Sequence, residues 1–129
     1  MKREPLLVPD RKPQAEAVVA KALVRAAQRL ALSQAEMADV LGTSAASVSR
    51  TFAGERPVMP ESAEGRHALL LLRLFRSLDT LVGGDEGKAR RWLEAPNAHL
   101  GGHAPRALIA STPGLLRVAE YLDAMRGTL

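Results

Sequence analysis

The chain has 129 residues, 47% of them hydrophobic and 25% charged, which is the composition of a compact globular protein and excludes disorder throughout. The absence of cysteine excludes disulfides and thiolate metal sites, and the longest apolar cluster, broken by Arg73 and Arg76, is far shorter than the roughly 20 residues of a membrane span. The net charge of +4 admits an anionic partner but is spread over both halves, so charge alone does not locate a binding face.

The chain opens with a leader that contains Pro5, Pro9 and Pro13, which favours extended backbone. The leader has no apolar run long enough for a signal peptide, so we expect a cytoplasmic location. Apolar residues then recur in alternating steps of three and one, the spacing of one side of a helix. This pattern predicts a first helix over about 14–31, with an inward face formed by Ala15, Val18, Val19, Ala22, Leu23, Ala26, Ala27 and Leu30.

Two short helices follow with almost no linker between them. Ser33, with Glu36 three residues later, forms a capping-box pattern that opens the second helix. Gly42 supplies the left-handed residue that ends this helix. The third helix is capped by Ser44 or Thr43. The chain therefore turns within about three residues from one helix into the next.

Two helices joined by a tight glycine turn and packed behind an amphipathic helix form a helix-turn-helix. Ala38 is small where the two helices cross, and the wedge between them is filled by apolar residues, namely Met37, Leu41, Val48 and Phe52. The third helix, which stops near Gly54, has an outer face of short, mostly uncharged side chains, namely Ser44, Ala45, Ala46, Ser47, Ser49 and Arg50. Such a helix can approach a flat partner and fits the B-DNA major groove, which is about 12 Å wide.

Four further helices are predicted after a proline-containing loop. The fourth helix spans about 62–82, and its inward face is rich in large apolar residues, namely Leu70, Leu71, Leu74, Phe75, Leu78, Leu81 and Val82. Gly83 ends it, Asp85 caps the fifth helix, Pro105 begins a short sixth helix and Ser111 caps the last. No stretch alternates with the two-residue period of a strand. The predicted fold class is therefore all-α, with seven helices.

The helix-turn-helix resembles that of Cro and the phage repressors, the Xre class, at Gln34, Ala38, Gly42, Val48, Ser49, Arg50 and Gly54. The resemblance implies contacts to the DNA backbone from Gln34 and from Thr43 or Ser44. It implies contacts to bases from Ala45, Ala46, Ser49 and Arg50. The two alanines offer only apolar contact, which favours modest specificity or readout of DNA shape. The residues by themselves are also compatible with a plain helical hairpin in a bundle.

The segment "RRWLEAPNAHLGGHAPRALIASTPGLLRV" resembles the C-terminal toxin-binding domain of Xre/MbcA/ParS-type antitoxins at Trp92, Leu93, Pro96, Asn97, Leu100, Gly102, Pro105, Leu108, Ser111, Gly114 and Val118. Each of these residues can also be explained by a structural role alone, since Asn97 suits a capped turn and Trp92 suits an anchor in the core. The sequence departs from the family at Ala104, where Ser or Thr usually caps the next helix, and at Ser111, where Thr is commoner.

Together the resemblances imply the antitoxin of a type II toxin–antitoxin system, with a leader and DNA-binding domain over 1–60 and a helical dimerisation and toxin-binding domain over 61–129. The implied partner is a RES-domain toxin that consumes NAD and whose active site the antitoxin covers. The antitoxin would also bind operator DNA and repress its own transcription. The family's use of its last helices and tail nominates as toxin-binding residues Arg106, Arg117, Tyr121, Arg126 and Leu129. A solvated charged face is an equally good interpretation of each residue taken singly.

A homodimer is expected for two reasons. One helix-turn-helix reads only a few base pairs, so useful specificity needs two recognition helices about one DNA turn, roughly 34 Å, apart. The predicted fourth helix also carries more apolar surface than one small core absorbs. We expect the contact to form through the C-terminal half.

Other chemistry finds little support in the sequence. His99 and His103 have the spacing of helical metal ligands, but Gly101 and Gly102 lie between them and no acidic third ligand is near. No phosphate loop, nucleophile elbow or pair of catalytic acids stands out. We therefore expect no metal, no cofactor and no enzymatic activity. Two alternatives are a stand-alone helix-turn-helix repressor with a C-terminal dimerisation domain, and an interaction module that no longer binds DNA.

Overall fold

The computed structural model describes residues 11–127, with side chains from residue 15 onward. This part of the chain forms seven α-helices and one 3-10 turn, Ala98–Leu100. The helices are α1 Arg11–Leu30, α2 Gln34–Leu41, α3 Ala45–Phe52, α4 Ala63–Leu81, α5 Glu86–Glu94, α6 Pro105–Leu108 and α7 Thr112–Gly127. Between residues 11 and 127 the only β pairing is an isolated bridge of Asn97 with His103. The prediction of an all-α fold with seven helices is confirmed.

The helix α1 differs from its prediction in two respects. It begins at Arg11, so Pro13 lies in its first turn and not in an extended leader, because proline is tolerated where a backbone N–H has no helical acceptor. Its buried face is also one row narrower than predicted, since Ala15 is exposed and Val18 is 65% exposed. The row that packs inward is Val19, Leu23, Ala26, Ala27 and Leu30. Pro5 and Pro9 lie outside the described residues.

The helix α4 lies at the centre of the fold and contacts α1, α2, α5 and α7. Its fully buried side chains are Ala68, Leu71, Leu74, Ser77 and Leu78, and the remaining predicted inward residues of this helix are partly buried at its edges. Polar contacts pair His67 with Thr112 and Ser77 with Asp123, so α4 and α7 run parallel. Because buried residues of both halves form one cluster around α4, the two predicted domains share a single core.

Glycines with positive φ lie at the ends of α2 and α4, and a serine side chain caps the start of α4. Gly42 has φ 71° and ends α2, and Gly83 has φ 63° after the end of α4. Ser62 caps α4 by accepting a hydrogen bond from the backbone N–H of Gly65. The predicted domain boundary at residue 60 falls in the loop between α3 and α4.

Candidate functional site

The α2–α3 unit has the local geometry that its sequence predicts. The hydroxyl of Ser33 accepts from the backbone N–H of Glu36 at 3.0 Å, and the carboxylate of Glu36 accepts from the N–H of Ser33 at 2.9 Å. This completes the capping box. Ser44 accepts from the N–H of Ser47 at 3.0 Å, so Ser44 and not Thr43 is the cap of α3. The turn between the helices consists of Gly42 and the two residues after it.

The wedge between α2 and α3 is packed as a small core. Met37 and Val48 are completely buried and Leu41 is nearly so. Ala38, whose small side chain lets the helices approach, is also buried. The predicted inward residue Phe52 is partly buried and packs against the same core. This packing fixes α3 relative to α2 and leaves its opposite face free to meet a partner.

A polar contact that the sequence did not predict ties the end of α3 to the start of α4. Arg56 forms a two-pronged ion pair with Glu64, both N···O distances being 2.9 Å, and donates to the buried hydroxyl of Thr51 at 3.1 Å. The hydrogen bond to Glu64 raises the pKa of Arg56 above its ordinary value. These partners are 5 and 8 residues away from Arg56, beyond the reach of a capping pattern.

The outer face of α3 is exposed and carries no carboxylate. Its exposed residues are Ser44, Ala45, Ala46, Ser49 and Arg50. Gln34, at the start of α2, is also exposed, whereas Thr43 is partly buried. The only charge on this face is the guanidinium of Arg50, which lies 3.5 Å from the hydroxyl of Ser47. A polyanion can approach such a face without electrostatic repulsion. Contact of these seven residues with DNA stays a prediction.

The loops of the C-terminal half are held by short side-chain caps. Asp85 accepts from the N–H of Lys88, and this hydrogen bond lowers the pKa of Asp85. Asn97 caps the 3-10 turn by accepting from the N–H of His99 at 2.9 Å. Ser111 accepts from the N–H of Gly114 at 3.2 Å, and Ala104 provides no side-chain cap to α6, as expected.

Three rings, those of Trp92, His99 and Tyr121, form a cluster that we call the ring column. The ring of Tyr121, on α7, is stacked with both others, and its centroid lies 6.4 Å from that of Trp92 and 5.9 Å from that of His99, at interplanar angles of 13° and 24°. Trp92 is partly buried and packs against the core, in agreement with its prediction as an anchor. His99 is exposed. Among residues 11–127 no three His, Asp or Glu side chains are grouped so that they could hold a metal ion.

The nominated toxin-binding residues do not lie on one surface element. Arg117 is exposed on α7, Tyr121 is half-buried in the ring column, and Arg126 is exposed near the end of α7. Arg106 projects from α6 toward the turn between α1 and α2, where it has several hydrogen-bond partners. Leu129 lies outside the described residues. Their contact with a toxin stays a prediction.

A charged cluster joins α4 to α7 around Arg126. Asp123 accepts from the hydroxyl of Ser77 at 2.7 Å and from the guanidinium of Arg73 at 2.6 Å, and Arg126 donates to Ser77 at 3.2 Å. The hydrogen bond from Ser77, assisted by Arg73, lowers the pKa of Asp123. With Arg76 beside them, these residues form a predominantly cationic surface. The sequence singled out only Arg126, because the other members become neighbours through the packing of α4 on α7.

None of the helices described between residues 11 and 127 combines the length and the apolar character that crossing a bilayer requires.

Two family models match the chain, one after the other. The model of the antitoxin Xre-like helix-turn-helix domain matches residues 11–73. The model of the antitoxin Xre/MbcA/ParS C-terminal toxin-binding domain matches residues 77–127. The two matches meet inside α4, which agrees with the shared core.

Individual relatives are more distant. Antitoxin Xre from Yersinia enterocolitica is 29% identical over 94 residues, which cover 70% of this chain and 60% of that protein. The monooxygenase HspA from Pseudomonas putida, which acts on 6-hydroxy-3-succinoylpyridine, is 34% identical over 79 residues, which cover 60% of this chain and 25% of that protein. The chain thus spans less than two thirds of either curated relative.

A solved structure supports the same assignment. A chain in the crystal structure of the M. tuberculosis MbcT-MbcA toxin-antitoxin complex is similar to this one, with a TM-score of 0.65 and 27% identity. The similarity covers 87% of this chain and 96% of that chain. With both halves matched in order by family models and most of the chain matched by a solved structure, the chain belongs to the Xre/MbcA/ParS family of antitoxins.

Proposed function

We propose that this antitoxin neutralises a RES-domain toxin that consumes NAD by covering the toxin's active site, and that a homodimer of it binds operator DNA to repress transcription of its own operon. The observation that carries the proposal is the exposed, acid-free face of α3 in a chain whose other half matches a toxin-binding domain. The activity is binding in both cases, and we expect no catalysis by the chain itself.

Two features of α3 favour DNA binding: the residues on its exposed face and the packing that holds it against α2. The face consists of short side chains and the guanidinium of Arg50, so the backbone of α3 can come close to base edges. Gln34 is exposed at the start of α2, where helix N-termini favour phosphate. The buried wedge of Met37, Leu41 and Val48 holds the two helices as one rigid unit.

A gel shift with the promoter fragment upstream of the chain's own gene tests this half of the proposal. We expect the wild type to bind and Arg50→Ala to lose about tenfold in affinity, the effect of removing one good base or phosphate contact. Arg91→Ala is the matched control, because Arg91 is an exposed arginine on α5 in the other half. Equal affinity of the wild type and Arg50→Ala would contradict the assignment of α3 as the recognition helix.

Toxin binding is supported by the surface of the C-terminal half. Arg117 is exposed on α7 beside the ring column that contains Tyr121, and Arg126 extends the positive charge toward the end of the helix. Aromatic and arginine side chains are the residue types that dominate binding energy in protein interfaces. An arginine also suits a toxin site that accommodates an anionic dinucleotide.

Co-expression with the toxin encoded beside the gene tests this half of the proposal. We expect the pair to co-purify and cellular NAD to be preserved. Arg117→Glu should weaken the complex about tenfold, since a reversed charge in an interface is repelled by the surface that held the arginine. Lys21→Glu, an exposed reversal on α1, is the control. Absence of any complex with the neighbouring gene product would favour the stand-alone repressor.

The homodimer is supported by two large exposed apolar side chains on neighbouring parallel helices. Leu69 on α4 is 46% exposed and Leu116 on α7 is 42% exposed. Light scattering after size-exclusion chromatography should give twice the monomer mass of 13.8 kDa. Leu116→Asp should return the monomer, and Val18→Asp, on the exposed side of α1, should not. A wild type that elutes as a monomer at micromolar concentration would contradict the dimer.

A further inference from the structure

The end of α1 is capped by two arginines from the C-terminal half. The last carbonyl groups of a helix have no partner within the helix and must find one elsewhere. Arg90, on α5, donates to the carbonyls of Gln28 at 2.9 Å and Arg29 at 3.1 Å. Arg106, on α6, donates to the next two carbonyls, those of Leu30 at 3.1 Å and Ala31 at 3.0 Å. Guanidinium groups thus satisfy four consecutive carbonyls.

The turn after α1 is conformationally strained at Ala31. Its φ is 55°, and it is the only residue other than glycine with positive φ in the part of the chain that the structure describes. A side chain in the left-handed region is sterically strained, and the conformation persists only where surrounding contacts impose it. The two hydrogen bonds from Arg106 to the carbonyl of Ala31 are such contacts.

Arg106 differs from Arg90 in that it also reaches the start of α2. Its Nη1 lies 3.0 Å and 3.2 Å from the two carboxylate oxygens of Glu36. Glu36 is the residue whose carboxylate accepts from the N–H of Ser33 in the capping box. One side chain therefore contacts the last carbonyls of α1, the strained turn and the first turn of α2. Arg90, by contrast, pairs with Glu86 on its own helix.

We propose that Arg106 is a positioning residue for DNA binding, which fixes the direction in which α2 leaves α1 and thereby the presentation of α3. The inference rests on the proposed binding of operator DNA by α3. It gives Arg106, a nominated toxin contact, a role on the DNA-binding side of the molecule. Because α6 belongs to the toxin-binding half, that half contributes to operator affinity without touching the DNA.

The chemistry of this contact requires arginine. The rigid fork of a guanidinium presents several N–H donors in one plane, so it can serve two carbonyls and a carboxylate at once. The side chain of Arg106 is only 20% exposed, which limits the competition of water for these bonds. A lysine has the same charge but a single ammonium group, and it cannot span the same three acceptors.

The test compares Arg106→Ala and Arg106→Lys with Arg90→Ala. All three variants lose bonds to the end of α1, but only the Arg106 variants lose the link to Glu36. Operator affinity is measured by fluorescence anisotropy at a temperature where circular dichroism shows each variant folded. We expect both Arg106 variants to bind operator about tenfold more weakly than the wild type, and Arg90→Ala to stay within about twofold.

A further substitution changes only the carboxylate of Glu36. Glu36→Gln keeps an acceptor for the capping box, because glutamine serves at this position, but it removes the charge that faces Arg106. We expect it to weaken operator binding in the same direction as Arg106→Lys and by a smaller factor. A Glu36→Gln protein with weaker toxin binding and unchanged operator affinity would contradict the inference.

Hydrogen exchange provides a readout that does not depend on DNA. The amides of residues 32–37 should exchange faster in Arg106→Ala than in Arg90→Ala, while those of α7 stay equal. Equal exchange rates in the two variants would overturn the positioning role. It would also be overturned if the loss of operator affinity in each variant were in proportion to the loss of its melting temperature. Failure of the wild type to bind its operator would overturn the proposed function instead, and the exchange pattern would still decide whether Arg106 orients α2.

Discussion

The Nε2 atom of His67 lies 3.2 Å from the hydroxyl of Thr112, and its Nδ1 lies 3.4 Å from the carbonyl oxygen of Leu41. A carbonyl can only accept, so Nδ1 donates in this hydrogen bond, and in the neutral ring Nε2 then accepts from the hydroxyl. This single ring connects the end of α2, the body of α4 and the start of α7. The helix-turn-helix is thereby attached to the last helix of the chain.

Removal of the hydroxyl at this junction should weaken the fold. We expect Thr112→Val to lower the free energy of unfolding by about 1 kcal/mol, because Nε2 of His67 loses its donor. Chemical denaturation measures the change. Thr80→Val is the control, since the hydroxyl of Thr80 bonds only within α4. In a double-mutant cycle with His67→Phe, the two effects should be less than additive, and full additivity would contradict the contact.

Gly114 lies where α7 crosses the end of α6. A Cβ atom at this position would lie 1.9 Å from the carbonyl oxygen of Leu108, a contact that only movement of the backbone can relieve. We expect Gly114→Ala to destabilise the protein by about 3 kcal/mol or to displace α6. Gly127→Ala, on the same helix but in open space, should be neutral or slightly stabilising. Equal melting temperatures for the two variants would show that the crossing is looser than described.

Ala31 offers the opposite case, in which glycine should stabilise. The left-handed backbone at this residue strains a side chain, and glycine removes the strain at the cost of a more flexible unfolded chain. We expect Ala31→Gly to raise the free energy of unfolding by about 0.5 kcal/mol. Ala17→Gly, at an exposed position of α1, should lower it by about 1 kcal/mol. A destabilised Ala31→Gly protein would count against the positive φ.

Asp123 should make stability depend on pH. The hydrogen bond from Ser77, with Arg73 nearby, lowers the pKa of Asp123 in the folded protein. The stabilisation is therefore complete above the pKa of the unfolded chain, about 3.9, and is lost as the pH falls through the folded-state pKa. We expect Asp123→Asn to melt below the wild type at neutral pH, with a gap that narrows below about pH 4.

The control for this series is Glu120→Gln, an exposed carboxylate one turn earlier on α7. Melting curves by circular dichroism between about pH 3 and pH 7 give the comparison. A gap between Asp123→Asn and the wild type that is constant across this range would show that the charge of Asp123 contributes nothing to stability.

The sequence predicted the features whose causes lie within a few residues. The capping box of Ser33 and Glu36, the left-handed turn at Gly42, and the caps at Asp85 and Asn97 are all confirmed. In the three side-chain caps the partner atom is two or three positions away, so the residue type alone indicates the bond. The all-α class follows from the same local signals.

Features that depend on packing were not predictable in the same way. Arg90 and Arg106 reach carbonyls 61 to 76 positions earlier in the chain, and no local pattern marks an arginine as a cap for a distant helix. The exposure of Val18 was missed because helical spacing defines a face but not the width of the surface that covers it. The candidate DNA-binding face was predicted because its short side chains and its lack of carboxylates are visible in the sequence.

The helix α4 belongs to both matched segments, since one ends at residue 73 and the other begins at residue 77. A hybrid of the N-terminal half of one relative and the C-terminal half of another would therefore be joined within α4. This continuous helix packs against α1 and α2 from one half and against α5 and α7 from the other. Under the proposed function, we expect new pairings of operator and toxin to be obtained more readily by changing the outer residues of α3 or α7 than by exchanging halves. The fold should therefore tolerate substitutions that change its binding specificity better than it tolerates the exchange of one half for that of a relative.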